Sequence, residues 1–394
     1  MKHIGRILTT LALLCGAALM ILPSFAYGAS NPVIVIGDEK ISKGNKIWFG
    51  NYDSDYHDGP ILWRILGDGN SGSGKLLLTE YCVDRIKRSH EYWDMDREAM
   101  DWWSAFDAGA FTDIERKAMI ATTLPYEYYE GRYGSYSSAS SNGWSNLHIF
   151  FLSAQEAEAI YFSVDDNDSR VASKQDGNTL NWWLRSTDST GLPRLVAVSG
   201  SGAVGKSESA INSLAGARPA MNIDPSSVLL VSAATGGKSV TAGNSSGTAG
   251  ADLYAISAGA QTEWKLTLKD DSRKFDYDGT PTAIYSGPGD EIGIPYLNAQ
   301  TEGNEFISVL LCDSEGKNAL YYGSVKADSA SGTAVFRLPD DLPLQPTDGY
   351  LLRVFNEQKN EDKKTDYASQ CHSVKLNHTL RSVYMRLNFR NEST

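Results

Sequence analysis

Two short runs constrain this chain more than any other feature: Trp182-Trp183-Leu184-Arg185-Ser186 and Arg218-Pro219-Ala220-Met221. Each reads as a core strand that sets an arginine beside large apolar side chains. A planar guanidinium hydrogen-bonds several carbonyls at once and stacks on an indole face. Trp182, Trp183, Arg185 and Arg218 are therefore expected to be structural. The pairing speaks to architecture rather than to a reaction.

Residues 1–28 read as an export signal. Lys2, His3 and Arg6 precede an apolar run from Ile7 to Leu22, and the small residues Ser24, Ala26 and Gly28 suit cleavage after Ala26 or Gly28. The run is shorter than the roughly 20 residues of a spanning helix, so no membrane span is expected in the mature chain. Cys15 lies inside this run behind Leu14, which argues against a lipid anchor. The expected location is extracellular, with surface association open.

The chain carries 36 basic and 48 acidic residues, a formal net charge of −12 that becomes more negative once Lys2 and Arg6 are removed. Such a surface repels phosphate backbones and excludes nucleic acid as a partner. Cys82, Cys312 and Cys371 remain after the leader, an odd number that is no disulfide framework. Cys312 and Cys371 could pair; three isolated thiols are the preferred reading.

A composition break at 231–251 divides the mature chain. Ser232 to Ala251 consists almost wholly of small residues and reads as a flexible linker. Before it, a first domain spans 31–230. Short apolar strands are expected at Val33–Ile36, Lys46–Gly50, Ile61–Leu66 and Lys75–Thr79. Met95 to Phe106 has helical spacing. Thr112/Glu115 and Ser153/Glu156 form capping boxes opening helices through Ile120 and Phe162. Strands return at Trp182–Leu184, Leu195–Val198 and Ala220–Ile223. Strands, then helices, then strands argue an α+β domain. From 252 to 378 the pattern is all strand, and seven short runs suggest an immunoglobulin-like β-sandwich. Residues 379–394 are a tail or a last strand.

Gly200 to Ser207 fits the P-loop pattern, but no strong helix follows Lys206, so a glycine-rich turn between strands is expected. Gly243 to Gly247 matches a nucleophile elbow by composition alone. Asp165, Asp166, Asn167 and Asp168 lack the glycine and glutamate of a calcium loop. No histidine stands at metal-ligand spacing, so neither metal nor cofactor is expected. Glu127 and Glu130 are the acidic pair open to glycoside hydrolysis. Tyr126, Tyr128, Tyr129, Tyr133, Tyr136 and Trp144 lie among Gly, Ser and Asn. An exposed loop of such rings would suit a sugar or a protein surface.

The set Ile47-Trp48-Phe49-Gly50, Ile61 to Leu66, Leu76 to Thr79, Phe111-Thr112, Trp182 to Ser186 and Arg218-Pro219-Ala220 resembles an extracellular module common in secreted and surface proteins of gut Firmicutes. The closing Trp-Trp-x-Arg-Ser and Arg-Pro pattern is similar to the end of C-type-lectin-like domains of the formylglycine-generating class. That likeness implies two helices and a twisted antiparallel sheet with long loops on one face. The enzymatic branch uses a reactive cysteine pair, and only Cys82 lies in this domain. The calcium-and-sugar motifs of sugar-binding lectins are absent.

The expectation is a C-type-lectin-like α+β domain followed by an immunoglobulin-like sandwich, acting as a non-catalytic binding protein for glycan or protein ligands. Tyr126, Tyr128, Tyr129, Tyr133 and Trp144 are the candidate contact residues. A secreted polysaccharide or peptidoglycan hydrolase and a structural envelope component are the alternatives.

Overall fold

Alternating Ile, Leu, Val and Trp make strand the dominant local choice. The computed structural model describes residues 38–378, apart from 70–73, 89–96, 132–134, 164, 189–194, 207–212, 239–250, 257–261 and 344–348. The expected export signal, the strand at Val33–Ile36, Tyr133 and the tail 379–394 lie outside the described residues.

The chain opens on an antiparallel meander of β1 (Lys46–Asn51), β2 (Pro60–Asp68) and β3 (Lys75–Thr79), followed by β4 (Asp84–Arg88). Helix α1 (Arg97–Ala110) buries Ala99, Trp103, Phe106 and Ala110 on one face. Helix α2 (Asp113–Ala118) starts at a complete capping box. The Thr112 hydroxyl accepts from the Glu115 amide and the Glu115 carboxylate accepts from the Thr112 amide. It stops at Ala118, short of the expected Ile120.

A hairpin follows, β5 (Thr122–Gly131) and β6 (Ser135–Leu147), then β7 (Ile149–Phe150). The Ser153/Glu156 box also forms, at 2.8 and 3.1 Å, but it opens a π-helical turn, Glu156–Ile160, rather than a helix through Phe162. Then come β8 (Ala172–Ser173), β9 (Thr179–Leu180), β10 (Trp182–Asp188), β11 (Leu195–Val198), β12 (Val204–Lys206), β13 (Ser213–Ala217), β14 (Ala220–Ile223) and β15 (Val228–Ala233). The P-loop-like run is the turn between β11 and β12. Gly202 has φ +80° there, and a Cβ would lie 1.8 Å from the Asn167 carbonyl.

The remaining strands are β16 (Ala251–Asp252), β17 (Tyr254–Ala255), β18 (Glu263–Lys269), β19 (Asp276–Tyr277), β20 (Thr282–Tyr285), β21 (Glu291–Leu297), β22 (Glu305–Cys312), β23 (Ala319–Lys326), β24 (Gly332–Arg337), β25 (Tyr350–Gln358), β26 (Asp366–Ala368) and β27 (His372–His378). Among the described residues no helix is long and apolar enough to cross a membrane.

These pairings correct the expected fold class. The described residues are mostly strand, with only α1 of 14 residues and α2 of 6 as α-helix. A 14-stranded mixed sheet takes β1, β2 and β3 from the first half and β18, β22, β25 and β26 from the second. Parallel pairs join β1 to β18, β18 to β26 and β20 to β27. Neither a helix-bearing lectin-like domain nor an independent antiparallel sandwich describes this arrangement. Residues 231–238, expected to begin a linker, continue the fold: β15 runs antiparallel to β18, with Ala233 opposite Trp264.

Strand β18 decides how the halves meet. Its side chains alternate between two faces. Trp264, Leu266 and Leu268 enter the core of the first half, with Trp63, Phe106 and Trp182. Lys265 and Thr267 face the other way, into a seam beneath the second half. One edge of β18 carries β15; the other is shared by β1 at residues 263–265 and β26 at residues 267–269. Beyond the seam, Ile307, Val309 and Leu311 of β22 and Leu352 and Val354 of β25 meet Ile294 and Phe336 in a further core.

Removing the Leu266 side chain therefore opens a cavity where both halves depend on one strand. Leu266→Ala should cost about 2–5 kcal/mol. Urea unfolding should remain one transition by tryptophan fluorescence and far-ultraviolet circular dichroism. Two separated transitions would show that the halves fold independently.

Candidate functional site

The signature side chains are built inward. Trp182 is fully buried and Trp183 nearly so, because β10 is covered on both faces. Their indole N–H groups donate to the Arg170 carbonyl at 3.0 Å and the Ile86 carbonyl at 3.1 Å. The Arg218 guanidinium lies 5.0 Å over the Trp182 ring and donates to the carbonyls of Thr79, Arg170 and Glu80 at 2.9–3.4 Å. Burial pulls its pKa down to about 10. Arg185 forms a two-pronged pair with Glu156 at 2.5 and 2.8 Å and donates to the Phe151 carbonyl. Glu156 thus caps its own turn and neutralises a buried arginine. All four signature side chains are buried, and their hydrogen bonds run to backbone carbonyls and to Glu156.

The aromatic segment is a hairpin, not an open loop, and this corrects the expected contact set. Tyr129 and Trp144 are 2% and 5% exposed, so they serve the core. Trp144 stacks on Tyr126 at 4.5 Å and meets Trp103 edge-on at 6.1 Å. Tyr126 and Tyr128 are half-buried, with ring centres 6.3 Å apart. Period-two geometry turns Glu127 and Glu130 to opposite faces of β5. Glu127 is buried and accepts from the Ser186 hydroxyl at 2.7 Å and the Gln155 amide at 3.1 Å; Glu130 is exposed. They do not face one another as an acid and its partner.

Asp166 accepts from the Ser169 amide at 3.1 Å and Asn167 accepts from Arg170 at 2.5 Å, so the acidic run closes its own turn. Among the described residues no group of three His, Cys, Asp or Glu side chains is placed to hold a metal ion. Cys82, Cys312 and Cys371 are unpaired thiols, and burial pushes Cys82 and Cys312 up to about 12.

An open cleft of about 350 Å³ lies where the turn before β1, the middle of β2 and the segment after the π-helical turn meet. Lys43, Lys46, Arg64, Tyr161, Ser163 and Asp166 contribute to its wall. Its floor is fixed by Glu80, which accepts a two-pronged bond from Arg64 at 2.7 and 2.9 Å and pairs with Lys46 at 3.2 Å. Arg64 also donates to the Ser169 carbonyl at 3.2 Å, tying β2 to the far wall. Burial alone would raise the Glu80 pKa. The bonds and charges of Arg64, then Lys46 and Arg218, overcome this and hold it at about 2. The Tyr161 hydroxyl donates to the Asp68 carbonyl at 3.2 Å, and burial followed by nearby acids lifts it to about 12. Lys43 reaches the Tyr161 carbonyl at 3.3 Å.

The cleft offers ammonium groups, a hydroxyl and an aromatic wall beside the Arg64–Glu80 pair. Glu80 is pulled down and Tyr161 pushed up, both away from neutrality, which suits binding more than proton transfer. Sequence reading missed it. Arg64 inside Ile61-Leu62-Trp63-Arg64-Ile65-Leu66 was the visible signal, a cation in an apolar strand whose partner only folding reveals.

Residues 73–225 match the family model of a domain of unknown function, DUF6273. No curated protein and no solved structure matches the chain. The matched span holds both signature runs and the hairpin, and it stops before β15 and β18.

Arg185→Ala would strip the guanidinium from a buried carboxylate and should cost about 3–5 kcal/mol in urea unfolding; adding Glu156→Gln should recover part of that loss. Glu80 gives a pH signature. Its folded pKa lies below the ordinary 4.5, so its contribution is complete above 4.5 and fades as pH falls toward about 2. Glu80→Gln should cost about 1.5–3 kcal/mol near neutrality, with the gap to wild type narrowing as acid is added. A gap independent of pH would mean that Glu80 does not act through its charge.

Proposed function

We propose that this protein is an exported, non-catalytic binding protein that holds a glycan in the cleft between β1, β2 and the Tyr161 segment. The carrying observation is the cleft itself: Lys43, Lys46 and the Tyr161 ring around an Arg64–Glu80 pair that fixes the base. An aromatic wall takes the apolar face of a sugar, while ammonium and hydroxyl groups take its oxygens. On a chain of net charge −12, this local positive group favours sugars bearing carboxylate or sulfate. The basic start and apolar run of residues 1–28 support work outside the cytoplasm. The buried, hydrogen-bonded state of Glu127 favours binding over glycoside hydrolysis.

The test is a glycan array followed by titration of the best acidic glycan. Lys46→Ala with Tyr161→Ala should weaken binding at least about tenfold while the circular dichroism spectrum is unchanged. Binding should also fall with added salt. Full affinity in the double variant, with loss instead in Tyr126→Ala with Tyr128→Ala, would move the contact surface to the hairpin.

A further inference from the structure

Beneath β18 lies a cluster that the cleft does not use. Strand periodicity turns Lys265 and Thr267 of β18, Asp366 of β26, Ser308 of β22 and Glu357 of β25 into one seam. Lys238, just past β15, drives its side chain into the same space. The side chains of Lys238, Glu357 and Asp366 are 7%, 0% and 1% exposed. Lys238 Nζ touches Glu357 Oε1 and lies 2.8 Å from Asp366 Oδ2. It also donates to Thr267 Oγ1 at 2.5 Å.

The surroundings divide the work between the two carboxylates. Glu357 Oε2 accepts from Tyr322 Oη at 2.6 Å and Ser308 Oγ at 2.8 Å, which fixes the carboxylate and leaves Oε1 to the lysine. Asp366 Oδ1 accepts from the Asn360 amide at 2.7 Å and from Lys265 Nζ at 3.0 Å. Asp366 therefore offers one oxygen held by two donors and another turned toward an amine. That is the arrangement acyl transfer needs: a nucleophile, a proton carrier and donors aimed at a developing oxyanion.

We propose that Lys238 and Asp366 condense into an intramolecular isopeptide bond, with Glu357 carrying the protons. Glu357 takes one proton from the Lys238 ammonium and passes it to Asp366 Oδ2. The freed Nζ lone pair attacks Asp366 Cγ, and the negative charge moves to Oδ1, against the Asn360 amide and Lys265. Glu357 then removes a second proton from Nζ and delivers it to Oδ2. The Cγ–Oδ2 bond breaks, water leaves, and Oδ1 returns to a carbonyl. One ammonium and one carboxylate become one amide and one water, and Glu357 ends as it began. No oxidant or further reactant is required. The driving force is local: two opposite charges in a low-dielectric seam are replaced by a neutral group. The bond would tie the end of β15 to β26 across β18, closing the seam by a covalent link insensitive to reductant.

The intact mass of the purified, folded chain decides the matter. Wild type should be lighter by one water than its sequence requires. Lys238→Arg, which keeps a cation but cannot form the amide, and Asp366→Ala should show the full mass of their sequences. Glu357→Gln, confirmed as folded by circular dichroism, should also stay at full mass. Tandem mass spectrometry of a wild-type digest should recover the peptides of Lys238 and Asp366 joined. A folded wild type at full sequence mass would overturn the bond, as would a link mapped to Lys265 or Glu357. A one-water loss that persists in folded Glu357→Gln would overturn the role given to Glu357.

Discussion

Strand β18 is the interaction on which the rest of this structure depends. Three partners claim its two edges, and its two faces look into different interiors. Trp264, Leu266 and Leu268 complete a core built otherwise from the first half, while Lys265 and Thr267 line the seam. An edge strand such as β1 left without β18 would expose unpaired backbone groups beside a large apolar surface, a costly state in water. The halves are therefore joined by backbone ladders as well as by packing.

Within the first half, order comes from arginines rather than from disulfides. Arg218, Arg185, Arg170 and Arg88 rank among its largest fully buried side chains. Each donates to carbonyls or a carboxylate: Arg170 to Gly202 and Ser163, and Arg88 to the Leu184 carbonyl. A guanidinium reaches several loop carbonyls from one point, so it fixes irregular backbone that no ladder can hold. Arg64 does the same at the cleft, donating to Glu80 and to the Ser169 carbonyl. Glu80, next to Thr79, holds the lining residues Arg64 and Lys46, and the carbonyls of Thr79 and Glu80 both receive Arg218. The scaffold and the candidate site thus share one short segment.

The seam follows the opposite logic. It concentrates Lys238, Lys265 and Lys359 around Glu357 and Asp366, with Lys359 lying 4.5 Å over Phe306 and drawn down to about 8 by burial. Burial opposes the Lys238 charge as well, but Asp366 and Glu357 outweigh it and its proton is held more tightly than usual. Isolated buried charges are expensive, and paired ones contribute mainly by forbidding other registers. The groups come from β18, β25 and β26 and from the segments that follow β15 and β25, so the cluster favours one alignment of these strands.

The strands of both halves were legible from local pattern, as apolar runs at Lys46–Gly50 and Ile61–Leu66 and as alternation at Trp264–Leu268 and Phe306–Leu311, and all form where the pattern places them. The inward role of Trp182, Trp183, Arg185 and Arg218 could be read from composition, because bulky rings and forked cations have few other uses side by side in a strand. Strand pairing could not be read. Alternation states that a strand has two faces, not which strand lies beside it, so β18 was assigned to a separate domain. The tyrosines of β5 were legible as chemistry but not as exposure, since a ring among Ser and Gly looks the same whether it meets solvent or Trp103. Local pattern therefore determined the elements and the scaffold residues, through backbone sterics and side-chain size. Only the tertiary structure decided which distant charges meet, as in Arg64 with Glu80 and Lys238 with Asp366, because that choice depends on pairing energies summed over the whole chain.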